Sequence, residues 1–149
     1  ITRNAARELG IDDRLGTLEV GKQGDVAIFN AHPLNTFARC ELTLIAGEPY
    51  FVRERQPTAM SVQGLESSRQ PRAIPLPAPE ERLPEIAWPA ITQGTFALTN
   101  AELHPVDGPM IPRGTLLSIG GRIQALGTDV VIPEGCPTID LRGLQVYPG

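Results

Sequence analysis

At 149 residues the chain is long enough for one ordinary domain and short for two. Its 41% hydrophobic and 20% charged residues exclude wholesale disorder. The formal net charge is −4, from 13 Lys plus Arg against 17 Asp plus Glu. Apart from Arg53 and Arg55 the basic residues do not cluster, so no nucleic-acid partner is expected. No apolar run approaches the ~18 residues of a transmembrane helix, and no membrane partner is expected either. Two cysteines, Cys40 and Cys136, cannot build a disulfide framework and lack CxxC spacing. Two histidines, His32 and His104, are too few for a zinc site of three imidazoles within the chain.

The 15 Gly and 15 Pro together form about a fifth of the chain, above the usual ~12%, and favour turns and short strands over a helical bundle. Residues 2–9 read as a short helix. Thr2 is placed to cap it, Ala5, Ala6 and Leu9 share a face, and Gly10 suits the left-handed position after its end. At about two turns such a helix does not persist alone and must dock on something. Residues 17–20 then read as a strand, followed by a glycine turn over Gly21-Lys22-Gln23-Gly24-Asp25. Residues 26–29 form a near-continuous apolar run, the pattern of a strand covered on both faces. A further strand at 42–45, a turn over 46–49 and a strand at 50–52 make a hairpin.

From Arg53 the alternation stops and prolines punctuate the chain as far as Pro89. Residues 75–79 (Pro-Leu-Pro-Ala-Pro) favour an extended polyproline course, and 53–94 reads as a linker rather than a docking peptide for an SH3-like partner. Strand patterning resumes at Thr95, where Phe96 and Leu98 alternate, with turns over 100–108. Residues 115–119 lead through Gly120-Gly121, a two-residue hairpin signal, into 122–126. Short strands follow at 130–132, 138–141 and 144–147. The expected organisation is therefore 1–52, a linker over 53–94, and 95–149. The chain starts at Ile1-Thr2-Arg3 and stops at Tyr147-Pro148-Gly149, and both ends read as cuts through a longer polypeptide.

Hydrolysis needs a nucleophile or activated water, a base and an electrophilic stabiliser within reach of one another. His32 and His104 each precede a proline, lack a carboxylate or thiolate at ligand spacing, and read as solvated loop histidines. Cys136, in Gly135-Cys136-Pro137, has no basic neighbour and reads as an inert thiol. Asp12-Asp13, directly after a helix end, reads as a solvated turn. The segment 21–25 lacks the GxxxxGK[ST] order of a phosphate loop and reads as a β-turn. No catalytic, cofactor-binding or metal-ligating residue is assigned in this chain.

Two stretches do carry a resemblance. Thr2-Arg3-Asn4-Ala5-Ala6-Arg7-Glu8-Leu9-Gly10, the run from Gly16 to Phe29, the turn from Asn30 to Leu34 and Leu44-Ile45-Ala46-Gly47-Glu48-Pro49-Tyr50 resemble the C-terminal end of metal-dependent amidohydrolases. The likeness is narrowest to the imidazolonepropionase-like and dihydroorotase-like branch. That family's pattern runs T-x-N-x-A-x-x-L-G, then G-x-L-x-x-G-K-x-A-D, and Gly24 stands here where the family usually has Ala. The stretch from Ala97 to Gly149 is similar to the opposite, N-terminal end of the same family, where Pro-Gly is soon followed by a metal-binding Asp-x-His-x-His.

The resemblance implies a mainly β chain. It would be a small β-sandwich, the composite domain of amidohydrolases, with one short N-terminal helix, a Pro-rich linker and no TIM barrel. It implies that the parent is a metal-dependent hydrolase of carbon–nitrogen bonds other than peptide bonds, acting on small cyclic-amide-like substrates. The cofactor, zinc or another divalent metal, and every ligand to it would lie in the missing barrel, which is this chain's expected partner. The parent is then a tandem of two such units, or the order reflects permutation. The alternative is a free-standing β-sandwich for binding or assembly, with edge strands at 50–52 or 138–141 available to a partner chain.

Overall fold

The structure is a computed structural model and describes residues 2–53, 91 and 93–149. Most of the expected linker, including the polyproline course at 75–79, lies outside the described residues. The described residues form one helix and eight strands: α1 (Thr2–Glu8), β1 (Val26–Phe29), β2 (Cys40–Ile45), β3 (Glu48–Val52), β4 (Phe96–Leu103), β5 (Ile111–Ile119), β6 (Arg122–Gly127), β7 (Thr138–Asp140) and β8 (Gln145–Pro148).

α1 ends as its sequence dictates. Gly10 adopts φ +65°, its N–H reaches the Arg7 carbonyl and the Ile11 N–H reaches that of Ala6, the paired bonds of a Schellman stop. The start differs from expectation. The Thr2 hydroxyl donates to the Gly16 carbonyl at 3.0 Å and so ties the helix to the returning loop. Only Ala6 of the three expected apolar positions is buried, whereas Ala5 and Leu9 are exposed. Gly16 is why Ala6 fits, because a side chain at Gly16 would fall 2.8 Å from the Ala6 Cβ. Arg3 also pairs with Asp107, which fastens α1 to the second half of the chain.

The strands follow the two-residue period. Val26 and Ile28 of β1 are fully buried while Ala27 and Phe29 are half-covered. The β2–β3 turn is tighter than the expected 46–49. Ala46 and Gly47, at φ 49° and 77°, make a two-residue turn of the primed type, and Glu48 and Pro49 already belong to β3. Pro49 is tolerated because β3 lies at the sheet edge. Residues 17–20 are not a strand. They lie between two left-handed glycines, Gly16 and Gly21, and the Leu18 N–H is taken by the Pro105 carbonyl instead of a neighbouring strand. Residues 130–132 are likewise irregular, and Val131 is exposed. β4 runs on to Leu103 where turns were expected from Asn100, because Asn100 at φ 55° absorbs an irregularity and lets pairing with β5 resume at Ala101.

All eight strands belong to one mixed sheet in the order β3-β2-β1-β8-β4-β5-β6, with β7 also beside β4. β1 and β8 pair antiparallel from Val26–Pro148 to Phe29–Gln145 and join the two halves of the chain. β4 pairs parallel with both β7 and β8. The sheet curls until β6 meets residues 21–24: Gly21 N–H to Ile123 O at 2.8 Å, Ile123 N–H to Lys22 O at 2.9 Å, and Gly24 N–H to Gly121 O at 2.8 Å. The chain is thus mainly β with one short helix, and the described residues contain no TIM barrel. Strands from both halves enclose one interior, in which Leu18, Ile28 and Leu44 meet Phe96, Leu116 and Val146. Each such side chain contributes about 1.5–3 kcal/mol of burial free energy. Ile91, expected in the linker, belongs to that core.

Where the turns converge, backbone packs on backbone. Gly47 N–H donates to Gly24 O, Gly24 N–H to Gly121 O, and Gly121 N–H to Gly94 O. The buried Ser118 hydroxyl adds a second bond to Gly94 O at 2.9 Å, and Glu48 Oε1 accepts the Gly94 N–H at 2.8 Å. A Cβ at Gly94 would sit 2.6 Å from Gly121 Cα, on a residue already at φ +62°. Gly10 has the same backbone sign but open space around it. Gly94→Ala is therefore expected to cost ~3 kcal/mol or more, and Gly10→Ala about 1–2 kcal/mol, as read from guanidinium denaturation midpoints.

Candidate functional site

Alternation on three adjacent strands, β1, β8 and β4, builds a cluster of polar and aromatic side chains on the outer face of the sheet. Val146 and Leu103 point into the core, so Gln145, Tyr147 and Glu102 point out, with His104 continuing the β4 direction. Register places Phe29 opposite Gln145, and Gln145 beside Glu102. The His104 ring stacks on Tyr147 with centroids 4.3 Å apart and planes 10° apart. Phe29 and His32 meet the Tyr147 ring edge-on at 6.0 and 5.9 Å. His104 Nε2 lies 2.7 Å from Glu102 Oε1, and the Tyr147 hydroxyl donates to Gln145 Oε1 at 2.8 Å. Burial pushes the Tyr147 hydroxyl above its ordinary pKa, and the neighbouring Glu102 charge adds to the shift.

His104 is thus no solvated loop histidine, with a side chain only 22% exposed between a carboxylate and an aromatic face. The cause is tertiary, since β8 supplies the ring on which it stacks. His32 does lie in an exposed loop, where its Nδ1 accepts the Leu34 N–H at 3.2 Å.

Next to this cluster, β4, β5 and the turn before β8 border an open cleft of about 180 Å³. Asn100, Glu102, Arg113 and Gln145 supply its polar groups, with Pro112 and Gly143 as walls. Asn100 and Arg113 are both left-handed, at φ 55° and 52°. The Asn100 amide donates to Asp140 Oδ1 at 3.1 Å, and Arg142 Nε reaches Asp140 Oδ2 at 2.8 Å. Burial by itself would raise the Asp140 carboxyl. The hydrogen bond from Asn100, together with the backbone N–H and charge of Arg142, outweighs burial and holds it below its ordinary value of 3.8.

The remaining sequence candidates are engaged locally. Asp12 and Asp13 face Arg7 and Arg14 at 3.8 and 3.9 Å on the exposed surface. Lys22 closes a turn onto Glu19 O, and its Nζ contacts the Thr17 hydroxyl and Glu19. The Thr17 hydroxyl, bonded to Glu19 Oε1, is the main reason that carboxyl titrates low. Cys40 lies 3.3 Å from the Thr43 hydroxyl. Burial pushes the Cys136 thiol up.

The described residues do not form a divalent-metal site. Among the described residues no three His, Cys, Asp or Glu side chains converge at ligand spacing. The two histidines both rest on the Tyr147 ring, one bonded to Glu102 and the other to the Leu34 N–H. Searched against protein-family models, curated proteins and solved structures, the chain matches none.

Sequence reasoning missed Glu102, Tyr147 and Arg113. The first two were accessible, because the i, i+2 pairs Glu102/His104 and Gln145/Tyr147 lie on one strand face each. Arg113 carried no signal, since its backbone conformation depends on a β4–β5 irregularity. Asp140 supplies a test. Its folded-state pKa is lowered, so the unfolded chain binds the proton first. The stabilisation is present above the ordinary carboxylate range and is lost as pH falls through the folded value. Urea midpoints are expected to drop between about pH 5 and 3, and Asp140→Asn is expected to flatten that dependence.

Proposed function

We propose that this chain is the accessory β-domain of a metal-dependent amidohydrolase, and that its role is to join and support the ends of a catalytic barrel rather than to react. The observation that supports this reading is the antiparallel β1–β8 pairing inside one core. It weaves together two segments that resemble the opposite ends of the same family. Neither segment alone offers enough apolar surface to offset its chain entropy, whereas together they bury a common interior. The substrate class is small molecules with hydrolysable carbon–nitrogen bonds, cyclic amides above all. The zinc or other divalent metal would polarise the scissile carbonyl and activate water in the barrel, which is this chain's partner. None of the residues described above is given a part in that chemistry.

A second reading, a free-standing binding or assembly module, is favoured by β3 alone. All five of its residues are exposed at the sheet edge, Tyr50, Phe51 and Val52 among them. The gene separates the two readings. Codons following Pro148-Gly149 are expected to encode Asp-x-His-x-His within a few residues, and its absence there would overturn the amidohydrolase reading. The 149-residue chain supplied with zinc is expected to leave hydantoin and dihydroorotate unhydrolysed in a spectrophotometric assay, and turnover would place the chemistry here instead.

A further inference from the structure

The cleft beside Tyr147 gathers charged and polar side chains that the shared interior does not use. Arg113 is held at φ 52° on the border of the cleft, a conformation that strains any side chain with a Cβ. Glycine would hold that backbone without strain, and Ala46, Gln93, Asn100 and Val106 share its positive φ. Arg113 forms no ion pair among the described residues. A carboxylate, Glu102, borders the same cleft but pairs with His104 rather than Arg113. A cationic and an anionic residue thus border one cleft without an ion pair between them.

The other polar groups are half committed in a consistent way. Glu102 uses Oε1 on His104, which leaves Oε2; Asn100 uses Nδ2 on Asp140, which leaves Oδ1. Gln145 uses Oε1 on the Tyr147 hydroxyl, which leaves Nε2. Each of these side chains is oriented by a protein partner and keeps capacity for a ligand. Acceptors remain on Glu102 and Asn100, donors on Gln145 and Arg113. The volume, about 180 Å³, lies below the ~300 Å³ at which sites for drug-sized ligands begin.

We infer that this cleft is a binding site for a small zwitterion of the α-amino acid class, independent of the barrel reading. The carboxylate of the ligand meets Arg113 and Gln145 Nε2, and its ammonium meets Glu102 Oε2 and Asn100 Oδ1. Charge-assisted bonds at both ends make it selective for molecules carrying both groups.

The test is a titration of the ¹⁵N-labelled 149-residue chain with glycine, L-alanine and L-glutamate, with acetate and ethylamine as single-charge controls. The expected result is saturable shifts of the Gly143 and Gln145 amides with an amino acid at ~10 mM or below and none with either control. Arg113→Gly is expected to weaken binding at least about tenfold while raising Tm, because it removes the guanidinium and relaxes the backbone. Glu102→Gln is expected to weaken amino-acid binding by a similar factor. Absence of saturable shifts, equal shifts with acetate, or a lower Tm for Arg113→Gly would each overturn the inference.

Discussion

Backbone contact among Gly24, Gly47, Gly94 and Gly121 is what allows residues 2–53 and 93–149 to share an interior. Each of these glycines lies at or beside a turn, and each turn brings one edge of the curled sheet against another. A side chain at Gly121 would collide with the Ala46 carbonyl, so the approach is available to glycine alone. The hydrogen bonds that replace side-chain packing there run from Gly47 to Gly24, cross between the halves to Gly121, and go on to Gly94. Without that junction β6 would be a free edge and the strand order would end as an open ribbon.

Curling of the sheet commits one face of every strand but β3 to the core, and the outer face is decided by the same alternation. Val146 and Leu103 inside place Tyr147, Gln145 and Glu102 outside in one row. β1, which pairs with β8, brings Phe29 to the Tyr147 ring. The result is a half-buried aromatic and polar cluster whose groups hold one another in place. Tyr147 is oriented by Gln145, His104 by Glu102, and Asn100 by Asp140. Arg113 borders the same groups, left-handed like Asn100 and with no ion pair among the described residues.

Strands from distant parts of the chain are woven through one sheet. The interior takes up the apolar side chains, and the outer surface carries the ordered polar and aromatic groups. The histidines illustrate the point, because both are spent on ordering the surface of the sheet.

Much of the secondary structure was legible in the sequence because its causes are local. Gly10 stops the helix, Gly120-Gly121 turns a hairpin, a near-continuous apolar run marks β1, and alternation of Phe96 and Leu98 marks β4, each a matter of steric freedom or side-chain spacing within a few residues. Residues 17–20 and 130–132 carry strand composition yet are not strands, because a strand also needs a neighbouring strand to pair with, and among the described residues none pairs with them. The outer cluster was readable only in part, since pairs such as Glu102/His104 share a strand face but their partner ring arrives from β8. Tertiary structure alone decided the His104–Tyr147 stack, the left-handed Arg113 and the glycine junction. All three depend on contacts between residues far apart in the chain, whose proximity comes from burying one shared apolar interior and from no pattern within either segment.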